Sequence, residues 1–156
     1  VSQVALIVCF QSLILDMAGN VGTQSLAVTI RVLMDEKLTG RQKLDLVLKE
    51  MRVGFFSGVM LGLMALIFIG LYVWLFKGKT LFYSLCISGC AGAALLLSLV
   101  LSSMVGTVIP MFFKKIHVDP AVASGPLITT VNDLVAVVTY YGLAYLLFFQ
   151  VFHLAG

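Results

Sequence analysis

In the stretch DMAGNVGTQSLAVTIR, residues 16 to 31, Asp16, Asn20, Thr23, Ala27 and Arg31 recur every three or four positions, with Gln24 at the border and Gly19 and Gly22 between them. On a helix this spacing gathers the polar groups onto one face. The donors are carboxylate, carboxamide and hydroxyl oxygens without histidine or thiolate, the set that a hard divalent cation takes. The two glycines let backbone carbonyls come close to a central object or to another helix. A second polar stretch, PLITTVND, brings Thr129, Thr130 and Asp133, with Val137 and Tyr140 at neighbouring helical positions. Asp133 lies fourteen residues beyond Asp119, about 21 Å along a helix, with no adjacent Lys or Arg. An ionisable group at membrane depth points to function by default. The bland alternatives are a protonated structural aspartate and a closed polar network that only ties helices together. Asn132 points roughly 100° away from Asp133 on a helix and reads as a packing group or a support for its neighbour.

These groups need elements to hold them, and the composition says which. Of 156 residues, 61% are hydrophobic and only 11% are Asp, Glu, Lys or Arg, against about 25% charged in a soluble domain. Too few charges remain to cover a water-exposed surface. The charges are clustered, and they leave nearly uncharged runs at 1–15, 53–76, 80–113 and, apart from Asp133, 120–156. A helix crossing a bilayer needs about 20 apolar residues, so the expectation is an all-α, polytopic membrane helix bundle with spans at about 2–33, 53–76, 80–113 and 120–152. Residues 1–15 lack the positive leader and cleavage site of a signal peptide. The first residue is Val, and further spans or domains upstream are expected.

Between the first two spans, DEKLTGRQKLDLVLKEMR carries Leu44, Val47, Leu48 and Met51 at helical spacing, opposite Arg41, Asp45, Lys49 and Arg52. This reads as an amphipathic linker helix over 35–52. The second span holds Gly54, Gly58 and Gly62, a doubled small-xxx-small pattern for close helix contact, and ends in Tyr72 and Trp74 as interface anchors. The third span, at 34 residues, is about 50 Å long as one helix and must tilt, break near Gly89 to Gly92, or extend into solvent. Its Ser84, Ser88, Gly92, Ser98, Ser102, Gly106 and Pro110 read as a packing ladder. In the fourth, Asp119 before Pro120 suits a helix start, whereas Pro126 is read inside the helix, freeing the carbonyl of Val122. Seven basic residues fall on the side of the 35–52 and 114–119 segments and two on the side of the Lys77 to Lys79 turn, which places the first side in the cytoplasm. The formal charge of +3 is then a matter of membrane orientation and gives no reason to invoke nucleic acid. Cys9, Cys86 and Cys90 all read as buried small hydrophobes.

Magnesium fits these donors well, because it gives up its waters reluctantly and is usually held by one or two carboxylates. A two-fold dimer would bring two Asp133 side chains to one axial site. The sequence also resembles the membrane domain of the MgtE family of magnesium transporters and channels, through MAGNVGTQS with Ile30-Arg31, KEMRVGFFSGVMLG at 49–62, VGTVIP at 105–110 and DPAVASGPLITTVND at 119–133. The resemblance implies a homodimer in the lipid bilayer of a cell membrane, the bacterial inner membrane among them. Each membrane domain of the family has five helices, and the pore is lined mainly by those corresponding to the first and fourth spans here. The family's membrane aspartate maps onto Asp133, where it helps to bind hydrated Mg²⁺, and the asparagine of its GGN-type motif maps onto Asn20. Ala18 stands where many relatives have glycine. The expected metal site is Asp133, Asn20, Asp16, Thr129 and Thr130, with Mg²⁺ as the transported, pore-bound ion and Mn²⁺ or Ca²⁺ as further candidates. Asp16 matches no ligand of the family. With four spans found, the family's first helix and the cytosolic Mg²⁺-sensing domains of many members lie outside this sequence.

Three functions compete at this level. The first is passive magnesium transport through a homodimeric, channel-like pore. The second is a Na⁺- or H⁺-coupled divalent cation antiporter, because polar residues reveal a path more readily than its energetic coupling. The third is a membrane scaffold that transports nothing. Enzymatic chemistry has little support: His117 and His153 sit near span ends, without the spacing to Asp133 that a zinc or proton-transfer site on one helix requires.

Overall fold

The computed structural model describes residues 2–35, 38–122 and 125–147. It is all-α, with α1 (Ser2–Asp35), α2 (Gly40–Phe76), α3 (Leu81–Lys115), a 3₁₀ turn (Pro120–Val122) and α4 (Gly125–Tyr145). By length and composition, α2, α3 and α4 are each apolar enough to cross a membrane. Helix α1 has 34 residues, about 51 Å, but its polar stripe dilutes the described part. The chain is a multi-pass membrane helix bundle.

Local signals start and stop these helices. Thr39 opens α2 with a capping box: its hydroxyl accepts the Gln42 N–H at 3.4 Å, while the Gln42 side chain accepts the Thr39 N–H at 2.8 Å. That satisfies two of the donors a helix start leaves bare. From there α2 runs unbroken for 37 residues, so the amphipathic linker from Gly40 onward and the second span are one continuous helix, while Asp35 belongs to α1. Thr80 caps α3 by accepting the Tyr83 N–H at 3.3 Å. At the far end, His117 takes φ 60°, its N–H reaches the Lys114 carbonyl at 3.3 Å, and the Val118 N–H reaches the Phe113 carbonyl at 2.9 Å. These are the two bonds of a Schellman ending.

Helix α3 is the central post. It packs against α1, α2 and α4, whereas α1 and α2 barely touch each other. It stays helical through Gly89 to Gly92, so of the three alternatives for the long span a break there is not the one adopted. Its contact with α2 is close: a Cβ on Gly92 would stand 2.9 Å from the Gly62 carbonyl oxygen, and one on Gly58 would stand 2.8 Å from the Leu96 Cα. Lipid tails are as apolar as leucine, so helices in a bilayer associate through such close backbone approach. Ser84, Ser88, Ser98, Ser102, Gly106 and Pro110 are all buried, which makes the serine ladder a packing surface. Cys86 and Cys90 are buried as well, while Cys9 is exposed, so it is not the buried small hydrophobe expected from its apolar neighbours.

The last span is divided. Asp119 caps the 3₁₀ turn, its carboxylate accepting the Ala121 N–H at 2.9 Å. Helix α4 then starts at Gly125, which puts Pro126 in its first turn, where a missing N–H leaves nothing unpaired. Pro126 is therefore a helix-start residue and not a mid-helix break. The expected continuation of this span to residue 152 lies partly outside the described residues.

Candidate functional site

Helices α1 and α4 lean together, and their polar stripes meet across one groove. Its volume is about 400 Å³ and its lining includes Asp16, Asn20 and Thr23 from α1 with Thr129 and Asp133 from α4. Four of the five residues singled out from the sequence as cation donors thus line one cavity. Thr130 does not; it is exposed on the next position of the helix, and its hydroxyl donates to the Pro126 carbonyl at 2.9 Å. Three other clefts are lined almost wholly by apolar groups, such as Leu61, Met64 and Phe68.

The side chains along α1 are held by their own helix. Asn20 Nδ2 donates to the Asp16 carboxylate at a long 3.4 Å, so the pair is loosely tied and open to a competing ligand. Thr23 donates its proton to the Gly19 and Asn20 carbonyls at 2.9 Å each, and Thr129 does the same to the Gly125 carbonyl at 2.8 Å. Both hydroxyl oxygens then turn lone pairs outward, as acceptors for the water of a hydrated ion. Asp16 and Asn20 are exposed and Asp133 is half-buried. Among the described residues no Lys, Arg or His lines the groove, so its field favours cations.

Sequence reading missed two features. Ser12 also lines the groove; it stands one turn before Asp16 and extends the same stripe, so the spacing carried that signal. Beyond it, the Tyr141 hydroxyl donates to Gln11 Oε1 at 2.6 Å, clamping α1 to α4 past the Ser12 end of the groove. That pairing joins residues 130 apart, and no local pattern announces it. At the other end Arg31 is exposed, and Lys114 of α3 donates to the Leu33 carbonyl near the end of α1, where a cation also suits the helix dipole.

Among the described residues no three His, Cys, Asp or Glu side chains converge. The size of the groove suits an ion that keeps its shell: six waters at about 30 Å³ each fill about 180 Å³. The donors and the absence of lining cations fit such a cargo.

Comparison with known proteins supplies the family. The model of the MgtE family, described as a divalent cation transporter, matches residues 11–143. Two proteins named magnesium transporter MgtE, from Bacillus subtilis and Enterococcus faecalis, are each 38% identical to the chain, over 142 and 146 residues, 91% and 92% of it. A third so named, from Thermus thermophilus, is 31% identical over 134 residues, 86% of the chain. The chain spans about 30% of the length of these relatives.

Proposed function

Because the chain belongs to the MgtE family of divalent cation transporters, we propose that it forms the membrane path for magnesium, which crosses with most of its water shell along the groove between α1 and α4. The observation that carries this reading is the meeting of Asp16, Asn20, Thr129 and Asp133, from two helices, around one polar cavity. The carboxylates draw the ion in. The amide and the hydroxyl oxygens hold its waters, which keeps binding shallow enough for exit, as conduction requires. The groove is open, and a second copy related by a two-fold axis would close it and pair the two Asp133 side chains. The 35–52 and 114–119 segments lie on the cytoplasmic side in this arrangement, by their excess of Lys and Arg.

The test is Mg²⁺ uptake into liposomes by the full-length protein, with Mn²⁺ and Ca²⁺ as competitors. Asp133→Asn keeps the shape and removes the charge; uptake is expected to fall at least tenfold while the protein still assembles. Asp16→Asn, farther toward the Ser12 end, is expected to raise the half-saturating Mg²⁺ concentration by a smaller factor. Uptake by Asp133→Asn at the wild-type rate would remove Asp133 from the path. Uptake that follows imposed Na⁺ or pH gradients would assign a coupled antiporter instead, and no uptake by the wild type would leave a scaffold.

A further inference from the structure

Asn132 precedes Asp133 by one residue and does not line the groove. It is completely buried, and neither its carboxamide nitrogen nor its oxygen has a hydrogen-bond partner among the described residues. The group is pressed onto bare backbone of α1: a Cβ on Gly22 would stand 1.7 Å from Asn132 Nδ2 and 2.7 Å from its Cγ. From the other direction α3 presses on the same residue, since a Cβ on Gly106 would stand 2.2 Å from the Gly22 carbonyl oxygen. Three helices therefore meet at Gly22, with α1 held between the glycine of α3 and the amide of α4.

Gly19, Asn20 and Thr23, within a turn of Gly22, form the groove wall. Asp133, on the opposite wall, is the residue next to the wedge. Any change in the thickness of the wedge must shift one wall relative to the other. Packing alone does not account for an amide here, because an apolar side chain of similar volume would fill the space without stranding a polar group away from water.

We infer that Asn132 is a positioning residue: wedged against Gly22, it sets the separation between the Asp16 and Asn20 wall and Asp133, and thereby the fit of the groove to a hydrated divalent cation, without touching the ion. The inference rests on the transport reading above. It assigns to Asn132 a share of the affinity and of the discrimination between Mg²⁺ and the larger Ca²⁺.

The experiment compares Asn132→Leu, Gly22→Ala and the double variant Gly22→Ala/Asn132→Ala in the full-length protein. Thermal stability is measured on each, with half-saturating Mg²⁺, maximal uptake and the Mg²⁺ to Ca²⁺ uptake ratio in liposomes. Asn132→Leu is expected to melt at or above the wild-type temperature, yet to shift half-saturation or the uptake ratio at least fivefold. Gly22→Ala is expected to lose stability. The double variant recovers it, because the three atoms nearest that new Cβ all belong to Asn132, and it keeps the shifted half-saturation. If Asn132→Leu does not fold, the double variant decides. A folded Asn132→Leu or double variant with half-saturation and uptake ratio within twofold of wild type overturns the positioning role, and leaves the transport reading intact so long as Asp133→Asn still lowers uptake at least tenfold. Wild-type protein without uptake overturns both.

Discussion

His117 adopts a left-handed backbone, φ 60°, as the residue that ends α3. A side chain there crowds the following carbonyl, a cost that glycine escapes. His117→Gly is therefore expected to stabilise the protein by about 0.5–1 kcal/mol, read as a rise in melting temperature in detergent; an unchanged or lower value would mean that the imidazole makes a compensating contact. The residue types of the groove were legible before any fold was known, because hard oxygen donors at three-or-four spacing stand out in an apolar chain. Adjacent residues were harder to separate. Thr129 and Thr130 differ by one position and by about 100° around α4, enough to put one in the groove and the other outside it. Cys9 was misread for a similar reason, since apolar neighbours in sequence do not say which flank of α1 is covered.

The glycines of α2 act one helix at a time. A Cβ on Gly58 would stand 2.8 Å from backbone of α3, while Gly89 on α3 has nothing within 4 Å of where its Cβ would be. Two chemically identical changes are thus expected to have opposite signs. Gly58→Ala should cost about 1–3 kcal/mol through overpacking, whereas Gly89→Ala should gain about 0.5–1 kcal/mol by restricting the unfolded backbone. Thermal melts of the two variants side by side check the pair, and a destabilised Gly89→Ala would show that the open space is filled in the assembled protein. The sequence announced the small-xxx-small pattern of α2 but not its partner. It also left three outcomes for the long third span, and α3 stays helical where it meets Gly62 through Gly92, the point where a break was a candidate.

For the whole molecule, the arrangement of helices matters more than their number. With α3 at the centre and α2 behind it, α1 and α4 are left together on one side, and among the described residues nothing covers their shared polar face. Facing a copy of itself across a two-fold axis, the groove would become a closed path, which is the dimer proposed above. A single cysteine at Ser12, in a background with Cys9, Cys86 and Cys90 replaced, is expected to cross-link two copies in membranes. Phe56→Cys, exposed on α2, is expected to stay monomeric under the same oxidant. The reverse pattern would put α2 at the interface and leave the groove to lipid.

Composition and hydrophobic runs determined that the chain is a membrane helix bundle, helical spacing gathered its polar groups onto faces of two particular spans, and the family resemblance drew attention to Asp133 and Asn20. Periodicity establishes which residues share a face of one helix. It says nothing of which other helix that face will meet, because that choice depends on how closely backbones distant in sequence can approach. Only the tertiary structure decided that Gly22 lies between Gly106 and Asn132, that α1 faces α4 and hardly touches α2, and hence that carboxylates more than a hundred residues apart line one groove.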